Sequence, residues 1–380
     1  MEIPHEIPHS SIIDDPTLTS GKTNFTALAS YSWLNCSQTP TIAVPGHPAI
    51  WTPKPPGTIT TLEPDRGTYF SDQNAARHPS SPLEPIFRAL AITDPSFSFD
   101  NIDIVTDRTV LRKLFRFIRA GHLGKRDRFQ FAVQRVGGVT LFTRNEVKTT
   151  DYFRGDRGYG FAFEKEFTCW PKGLEDSTGH HRVVKYNLCG SLGIMMRFEA
   201  DAAVLEHNAD DCSTSLERLL ARPTERKELK VREAGKMVAH EEVVELKAAH
   251  VKTDGRFACK GVYEQLWLAN TPRLLVGLQQ NGVFGDIRDV DTTVDSIWKR
   301  EPVLEGPVGI NKWELDNEAF LRKLAVLLKT ICEIAEKADG KALVIRCDDE
   351  SLKVEAGEEG KEWIPKDLRD WIETGSSIKQ

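Results

Sequence analysis

Strand-like and helix-like periodicities alternate along this chain with no break in composition between them, and that interleaving limits its fold more than any other feature. Phe129, Phe131 and Val133 recur at spacing two, Gly137-Gly138 turns the chain, and Val139 and Leu141 resume the alternation, which predicts a strand pair. The stretches 182–188, 193–201, 243–247 and 273–278 read as further strands. Helical spacing falls between and after them. Leu83, Ile86, Phe87 and Leu90 share one face of a helix beginning near Ser81-Pro82, with proline at its first position. Leu111, Leu114, Phe115 and Ile118 mark a second helix over 109–119, stopped at Gly121. The clearest spans 318–337, with Phe320, Leu321, Leu324, Leu327, Leu328, Ile331 and Ala335 on one side and Asp316 placed to cap it. Interleaved strands and amphipathic helices predict a mixed α/β fold.

The same reading gives one domain over 23–375, preceded by a flexible arm over 1–22 and interrupted by a charged insertion over 203–240 that is partly helical or mobile. Thr39 to Pro64, rich in proline and glycine, reads as loop or extended chain. The net charge of -6 gives no global attraction to nucleic acid or to an anionic membrane, so a polyanion must be held by a local basic patch. No apolar run reaches the roughly 18 residues of a membrane span, and 1–16 lacks the apolar segment of a secretory signal. Seven scattered cysteines without a CxxC pair argue against a disulfide framework or a structural zinc site and for a reducing compartment.

Two short carboxylate motifs carry the chemistry. Glu199-Ala200-Asp201 ends the run Ile194-Met195-Met196-Arg197-Phe198, and Glu245-Leu246-Lys247 follows Val243-Val244. On strands, residues i and i+2 share a face, so Glu199 pairs with Asp201 and Glu245 with Lys247. If those strands are neighbours, three carboxylates and one ammonium converge, a set suited to a hard divalent cation and a phosphate ester. The segment around Glu245 also permits an amphipathic helix with a Glu241/Glu245 pair, and an isolated E-x-D is commonly two solvent-facing acids. The order E-x-D, then E-hydrophobic-K, resembles metal-dependent nucleases of the PD-(D/E)XK kind.

With three further motifs the chain resembles a narrower group, the DXO/Rai-type decapping exoribonucleases. Arg108 precedes the Leu111-Arg112-Lys113-Leu114 helix, Gly160-Phe161-Ala162-Phe163-Glu164 gives the G-hydrophobic-x-x-E pattern, and Gln265 precedes Leu266-Trp267-Leu268 and a segment through Pro272 into a short strand. The resemblance covers about residues 80–370 and implies two twisted mixed β-sheets with flanking helices around a PD-(D/E)XK-like core. It implies that Glu164, Glu199, Asp201 and Glu245, with the Leu246 carbonyl, hold Mg²⁺ or Mn²⁺. Lys247 would meet the scissile phosphate or the attacking water, Gln265 would help hold either, Arg108 would grip a substrate phosphate, and Glu84 would be a further acidic substrate contact. Implied activities are removal of incomplete or non-canonical caps (NAD caps among them), pyrophosphate release from 5′-triphosphate RNA, and 5′–3′ exonuclease action. Implied surroundings are RNA 5′ ends, a 5′–3′ exoribonuclease partner and the nucleus, with the cytoplasm as alternative. The competing reading is a weakly active or inactive partner that stabilises such an exoribonuclease.

The chain departs from the family pattern at Asp107-Arg108-Thr109, where Trp-Arg-Gly is usual, so Asp107 either partly neutralises Arg108 or faces away. Arg112, Lys113, Arg116, Arg119, Lys125, Arg126 and Arg128 form a basic cluster in an otherwise acidic chain. It reads either as a solvated helix face or as salt-sensitive affinity for an RNA backbone beside a phosphate site.

Overall fold

The computed structural model describes residues 6–35, 39–119, 128–156, 158–205, 212–213, 228–251, 261–293, 310–348 and 350–375, with 212–213 as backbone only. Two large sheets organise them. The first has eleven strands in the order Glu6–Pro8, Ser351–Ala356, Leu343–Asp348, Phe129–Val136, Val139–Arg144, Ile104–Asp107, Leu192–Glu199, Ser177–Leu188, Lys22–Leu34, Thr41–Gly46 and Lys230–Gly235. The second has eight, in the order Cys212–Ser213, Thr168–Pro171, Ile50–Trp51, Ala202–Ala203, Val243–His250, Arg273–Gln280, Val283–Asp291 and Thr60–Thr61. A separate ribbon pairs Arg66–Phe70 with Thr150–Arg154. Both large sheets are mixed: Leu192–Glu199 runs parallel to Ile104–Asp107, and Val243–His250 parallel to Arg273–Gln280, among antiparallel neighbours. Helices flank them, so the mixed α/β architecture expected from the sequence is the one observed.

The hydrophobic spacing explains the packing. Leu321, Leu324, Leu327, Leu328 and Ile331 of the Glu318–Lys337 helix are all fully buried, in one cluster with Leu111, Leu114 and Phe115 of the Arg108–Arg119 helix and with Phe131 and Phe142 of the first sheet. On the other side of that sheet Ile86, Phe87 and Leu90 of the Glu84–Thr93 helix pack with Trp33, Val105 and Met195. The smaller core of the second sheet gathers Trp51, Phe163, Phe167, Leu246 and Phe284. Burying each such side chain contributes about 1.5–3 kcal/mol. Among the described residues no helix is long and apolar enough to cross a membrane.

Several expectations change. The N-terminal arm is docked rather than flexible over its described part: Glu6–Pro8 adds a strand to the first sheet, Ile7 and Ile12 are buried, and Asp14 binds Arg322 through both carboxylate oxygens at 2.8 Å. Lys230–Gly235, assigned to a helical or mobile insertion, is a strand parallel to Thr41–Gly46; 206–211 and 214–227 of that insertion lie outside the described residues. Pro85, not Pro82, falls in the first turn of its helix. Asp316 closes the preceding helix Ile310–Asp316 and binds Lys312, and Asn317 stands at the cap of the long helix. Cys169 is disulfide-bonded, against the expectation that the scattered cysteines stay reduced.

Candidate active site

The first sheet hands the chain to the second at the E-x-D motif. Leu192–Glu199 ends at Glu199; Ala200 and Asp201 span the gap; Ala202–Ala203 then joins the second sheet, where Ala202 pairs with Val244. Asp201 is therefore not on the strand with Glu199, and the strands bearing Glu199 and Glu245 are not neighbours. The motifs meet across a seam between sheets. Asp201 is fixed there by the Leu246 amide, which donates to its Oδ2 at 2.8 Å. Val243–His250 is a strand, preceded by a single 3₁₀ turn at His240–Glu242, so the helical reading of this segment is excluded. A third carboxylate arrives from a helix: Glu164 sits in Gly160–Phe167, whose Phe163 and Phe167 are buried in the second sheet's core.

Two cations enter the cluster. Arg108, first residue of its helix and directly after Ile104–Asp107, donates from Nη1 to Glu245 Oε2 at 3.1 Å while its guanidinium lies 5.4 Å from the centre of the Phe198 ring. Lys247 donates from Nζ to Glu245 Oε1 at 2.7 Å. Asp107 faces away from Arg108: Arg197 takes it bidentately, Nε to Oδ1 at 2.7 Å and Nη2 to Oδ2 at 2.9 Å. The departure at Asp107-Arg108-Thr109 thus leaves Arg108 free of its own neighbour.

The charges are unbalanced. Burial raises Glu164 well above the usual carboxylate range, and Asp201 adds to the effect. Burial, then Glu245, pushes Asp201 up to about 7. Glu199 is exposed by surface area, but the protein crowding its carboxylate still desolvates it and raises it, with Arg108 opposing. Glu245 alone goes down, to about 2, because Lys247 and Arg108 outweigh its desolvation. Lys247 is held well above its usual value: Glu245, then Asp201, outweigh its burial. Desolvation disfavours each buried carboxylate's charged form, and opposite charge relieves it. Four carboxylates facing one Lys and one Arg are short of positive charge, and an all-oxygen donor set is what a hard divalent cation takes. Among the described residues no group of three or more such side chains converges tightly enough, as it stands, to grip one ion. Glu245 is drawn to its two cations and Asp201 to the Leu246 amide.

The other sequence candidates are placed differently. Glu84 is buried with His78 Nε2 at 2.8 Å and Arg88 Nε at 3.0 Å, and no described hydrogen bond or ion pair joins it to the carboxylate cluster. Gln265 lies half-buried on the helix Val262–Ala269, and no described hydrogen bond ties it to the carboxylates. Its neighbour Glu264 does more: Arg112, Arg116 and Arg119 reach it at 3.8, 2.7 and 3.6 Å, so the basic cluster is partly neutralised from a distant segment. Lys113 binds Glu146, and Lys125 and Arg126 lie outside the described residues.

Sequence reasoning missed the wall behind Glu199. His181 is its cross-strand partner, and an added Cβ on Gly179 would stand 3.0 Å from Glu199 Oε1 and 2.4 Å from Gln73 Oε1. His181 Nε2 is 3.3 Å from the same Gln73 oxygen. The triplet Gly179-His180-His181, directly before the strand expected over 182–188, was the available signal. Asp65 was also missed; buried, it accepts from the Ala162 amide at 2.9 Å and so fixes the start of the Glu164 helix. A cavity of about 1040 Å³, lined by His47, Arg182, Lys236, His240, Glu242 and Arg273, holds none of the four clustered carboxylates. Arg182 is one residue from His181, so it points to the opposite face of the sheet from Glu199.

A family model described as "Domain of unknown function (DUF8563)" matches residues 3–372. No curated protein sequence matches the chain. Among solved structures the fold is similar to Scheffersomyces stipitis Rai1 in complex with (3′-NADP)+ and calcium ion, at TM-score 0.59 and 12% identity over 98% of this chain and 100% of that one. It is similar to Candida albicans Rai1 in complex with pU5-Mn2+, at TM-score 0.57 and 11% identity over 98% and 99%. It is also similar to S. pombe Rai1 in complex with 3′-FADP, at TM-score 0.56 and 12% identity over 93% and 99%.

Proposed function

From the premise that this chain belongs to the DUF8563 family and carries the Rai1 fold, we propose that it is a metal-dependent hydrolase of RNA 5′ ends. The observation that carries the reading is the gathering of Glu164, Glu199, Asp201 and Glu245 with Lys247 and Arg108 at one seam between two sheets, with too little positive charge to balance them. The structures of similar fold hold pU5 with manganese, and 3′-NADP with calcium, which supports both an RNA end and a divalent ion. The four carboxylates would hold Mg²⁺ or Mn²⁺, with the Leu246 carbonyl as a further oxygen. When bound, the ion supplies Lewis-acid stabilisation of charge developing on a phosphate.

The chain's own residues supply the rest. Lys247, kept fully charged by its carboxylate neighbours, stabilises negative charge on the phosphate under attack. Arg108, whose planar fork suits phosphate oxygens, grips a second phosphate once its hold on Glu245 is shared with substrate. Gln265, on the helix Val262–Ala269, would help hold the attacking water or the phosphate. The substrates are RNAs with incomplete or non-canonical caps, NAD caps included, and 5′-triphosphate RNA, with 5′–3′ exonuclease action on the monophosphate product.

One panel tests this: 5′-triphosphate, 5′-monophosphate, unmethylated-cap, methylated-cap and NAD-capped RNAs, each with Mg²⁺ and Mn²⁺. Glu199→Ala and Asp201→Ala are expected to abolish cleavage while leaving the circular dichroism spectrum unchanged. Full activity in both variants sinks the reading.

A further inference from the structure

The ribbon formed by Arg66–Phe70 and Thr150–Arg154 has two unlike faces. Residues directly opposite on an antiparallel pair share a face, and alternate residues keep to it. Tyr69 and Phe153 lie on the inner face, packed onto Phe161 with ring centres 3.8 and 5.6 Å away; Phe161 is one turn before Glu164 on the same helix. The outer face carries Arg66 opposite Arg154, Thr68 opposite Tyr152, and Phe70 opposite Thr150. Packing accounts for Tyr69 and Phe153 on the inner face; on the outer face Phe70 lies against Arg77, and the side chains of Arg66, Arg154 and Tyr152 stand exposed.

Three observations on the outer face point to a ligand. Arg66 and Arg154 are both exposed, and neither has an acidic partner within ion-pair reach among the described residues. Like charges set directly opposite each other on paired strands are destabilising, so stability does not explain the pair. Tyr152, two residues from Arg154, is 71% exposed and has no described contact for its ring. The cationic end of the ribbon is also the end tied to the catalytic helix. Asp65, which precedes Arg66, caps the Ala162 amide, and its own backbone bonds Gly155 and Gly158.

We propose that this face holds the single-stranded RNA that follows the reacting 5′ end, with Arg66 and Arg154 on one backbone phosphate and Tyr152 stacked on a base. The proposal rests on the hydrolase reading for the identity of the strand. A charged groove plus an aromatic platform is how proteins hold single strands without reading their sequence, because every base offers a flat face. The five-residue strands run about 17 Å, enough for a short stretch of nucleotides rather than a single one.

The test is binding, read by fluorescence anisotropy with 5′-phosphorylated oligouridylates of two and twelve residues in Ca²⁺. The wild-type protein is expected to bind the twelve-residue RNA more tightly than the two-residue one. Tyr152→Ala should weaken binding of the longer RNA by about 5- to 150-fold. The double variant Arg66→Ala/Arg154→Ala should lower the slope of log affinity against log salt by about 0.7 units, one phosphate contact's worth on a single strand. Arg66→Lys/Arg154→Lys should keep that slope. All substituted side chains are exposed, and thermal unfolding no lower than that of wild type verifies folding. Equal affinities and slopes in wild type and variants overturn the ribbon proposal and leave the hydrolase reading intact. Loss of the longer RNA's advantage in the variants supports the ribbon, even if the wild-type protein cleaves no RNA in the panel above, which would count against hydrolysis alone.

Discussion

Replacing Arg197 by Met tests the arrangement that leaves Arg108 free. Arg197 is fully buried; besides Asp107 it donates from Nη1 to the Pro82 carbonyl at 2.7 Å and to the Tyr31 hydroxyl at 3.1 Å. Met fills much of the same volume but leaves the Asp107 carboxylate buried and unpaired, and breaking a buried pair from one side costs about 3–5 kcal/mol. The 380-residue chain has an unfolding entropy of about 0.8 kcal/mol/K, at roughly 2.1 cal/mol/K per residue. The expected fall in Tm is therefore about 4–6 °C. Asp107→Leu combined with Arg197→Met removes both charges, and the pair should recover part of the loss, with a coupling of about 2 kcal/mol or more in a double-mutant cycle. Calorimetry on the four proteins measures it. The single variant carries a second consequence: Asp107, released, is the carboxylate next to Arg108 and competes with substrate phosphate, so KM should rise more than kcat falls. A Tm within 1 °C of wild type, or strictly additive single and double variants, refutes the reasoning.

Two further outcomes follow from positions already described. Gly179→Ala puts a methyl group against Glu199 Oε1 and Gln73 Oε1; kcat/KM in the RNA panel should fall at least tenfold, about 1.4 kcal/mol, and wild-type activity would show that Glu199 can move aside without loss. His240 is lowered to about 4 by burial and by Arg182. The native state therefore refuses a proton that the unfolded chain accepts near 6.5, so this group's contribution is complete above pH 6.5 and falls away as pH drops toward 4. The loss reaches about 2 kcal/mol by pH 5. A urea midpoint that falls between pH 7 and 5 in wild type and falls less in His240→Phe agrees with this, and equal pH dependence in both contradicts it.

The helices and the strand hairpin were legible because their information is local. The spacing of Leu321 to Ile331, or of Phe129 to Leu141 around Gly137-Gly138, describes a face or a turn wherever the segment is placed. The carboxylates were legible as types in an order, but not as a geometry. Alternation suggested that Glu199 and Asp201 share a strand, whereas the chain changes sheets between them, and nothing in three residues records where a sheet ends. Interactions between distant segments were the least visible. Glu264 neutralises arginines 145 to 152 positions earlier, Gly179 backs Glu199 across a strand pair, and Ile7 and Ile12 anchor an arm whose proline-rich composition suggested mobility. In each case the partner, not the segment, decides the outcome.

The seam between the two sheets has a kinetic side. Glu164, Glu199, Asp201 and Glu245 come from a helix, a strand end, a crossover and a second sheet, so their mutual repulsion cannot exist until both sheets are formed and docked. The penalty falls on the last stage of assembly and is absent from an earlier transition state. Interactions of that kind set the rate of unfolding rather than of folding. Neutralising one of the three acids whose charge burial disfavours, Glu164, Glu199 or Asp201, would slow the escape from the native state and leave its formation almost untouched. Whatever positive charge the seam attracts would do the same, which makes the lifetime of the folded protein answer to what occupies the site.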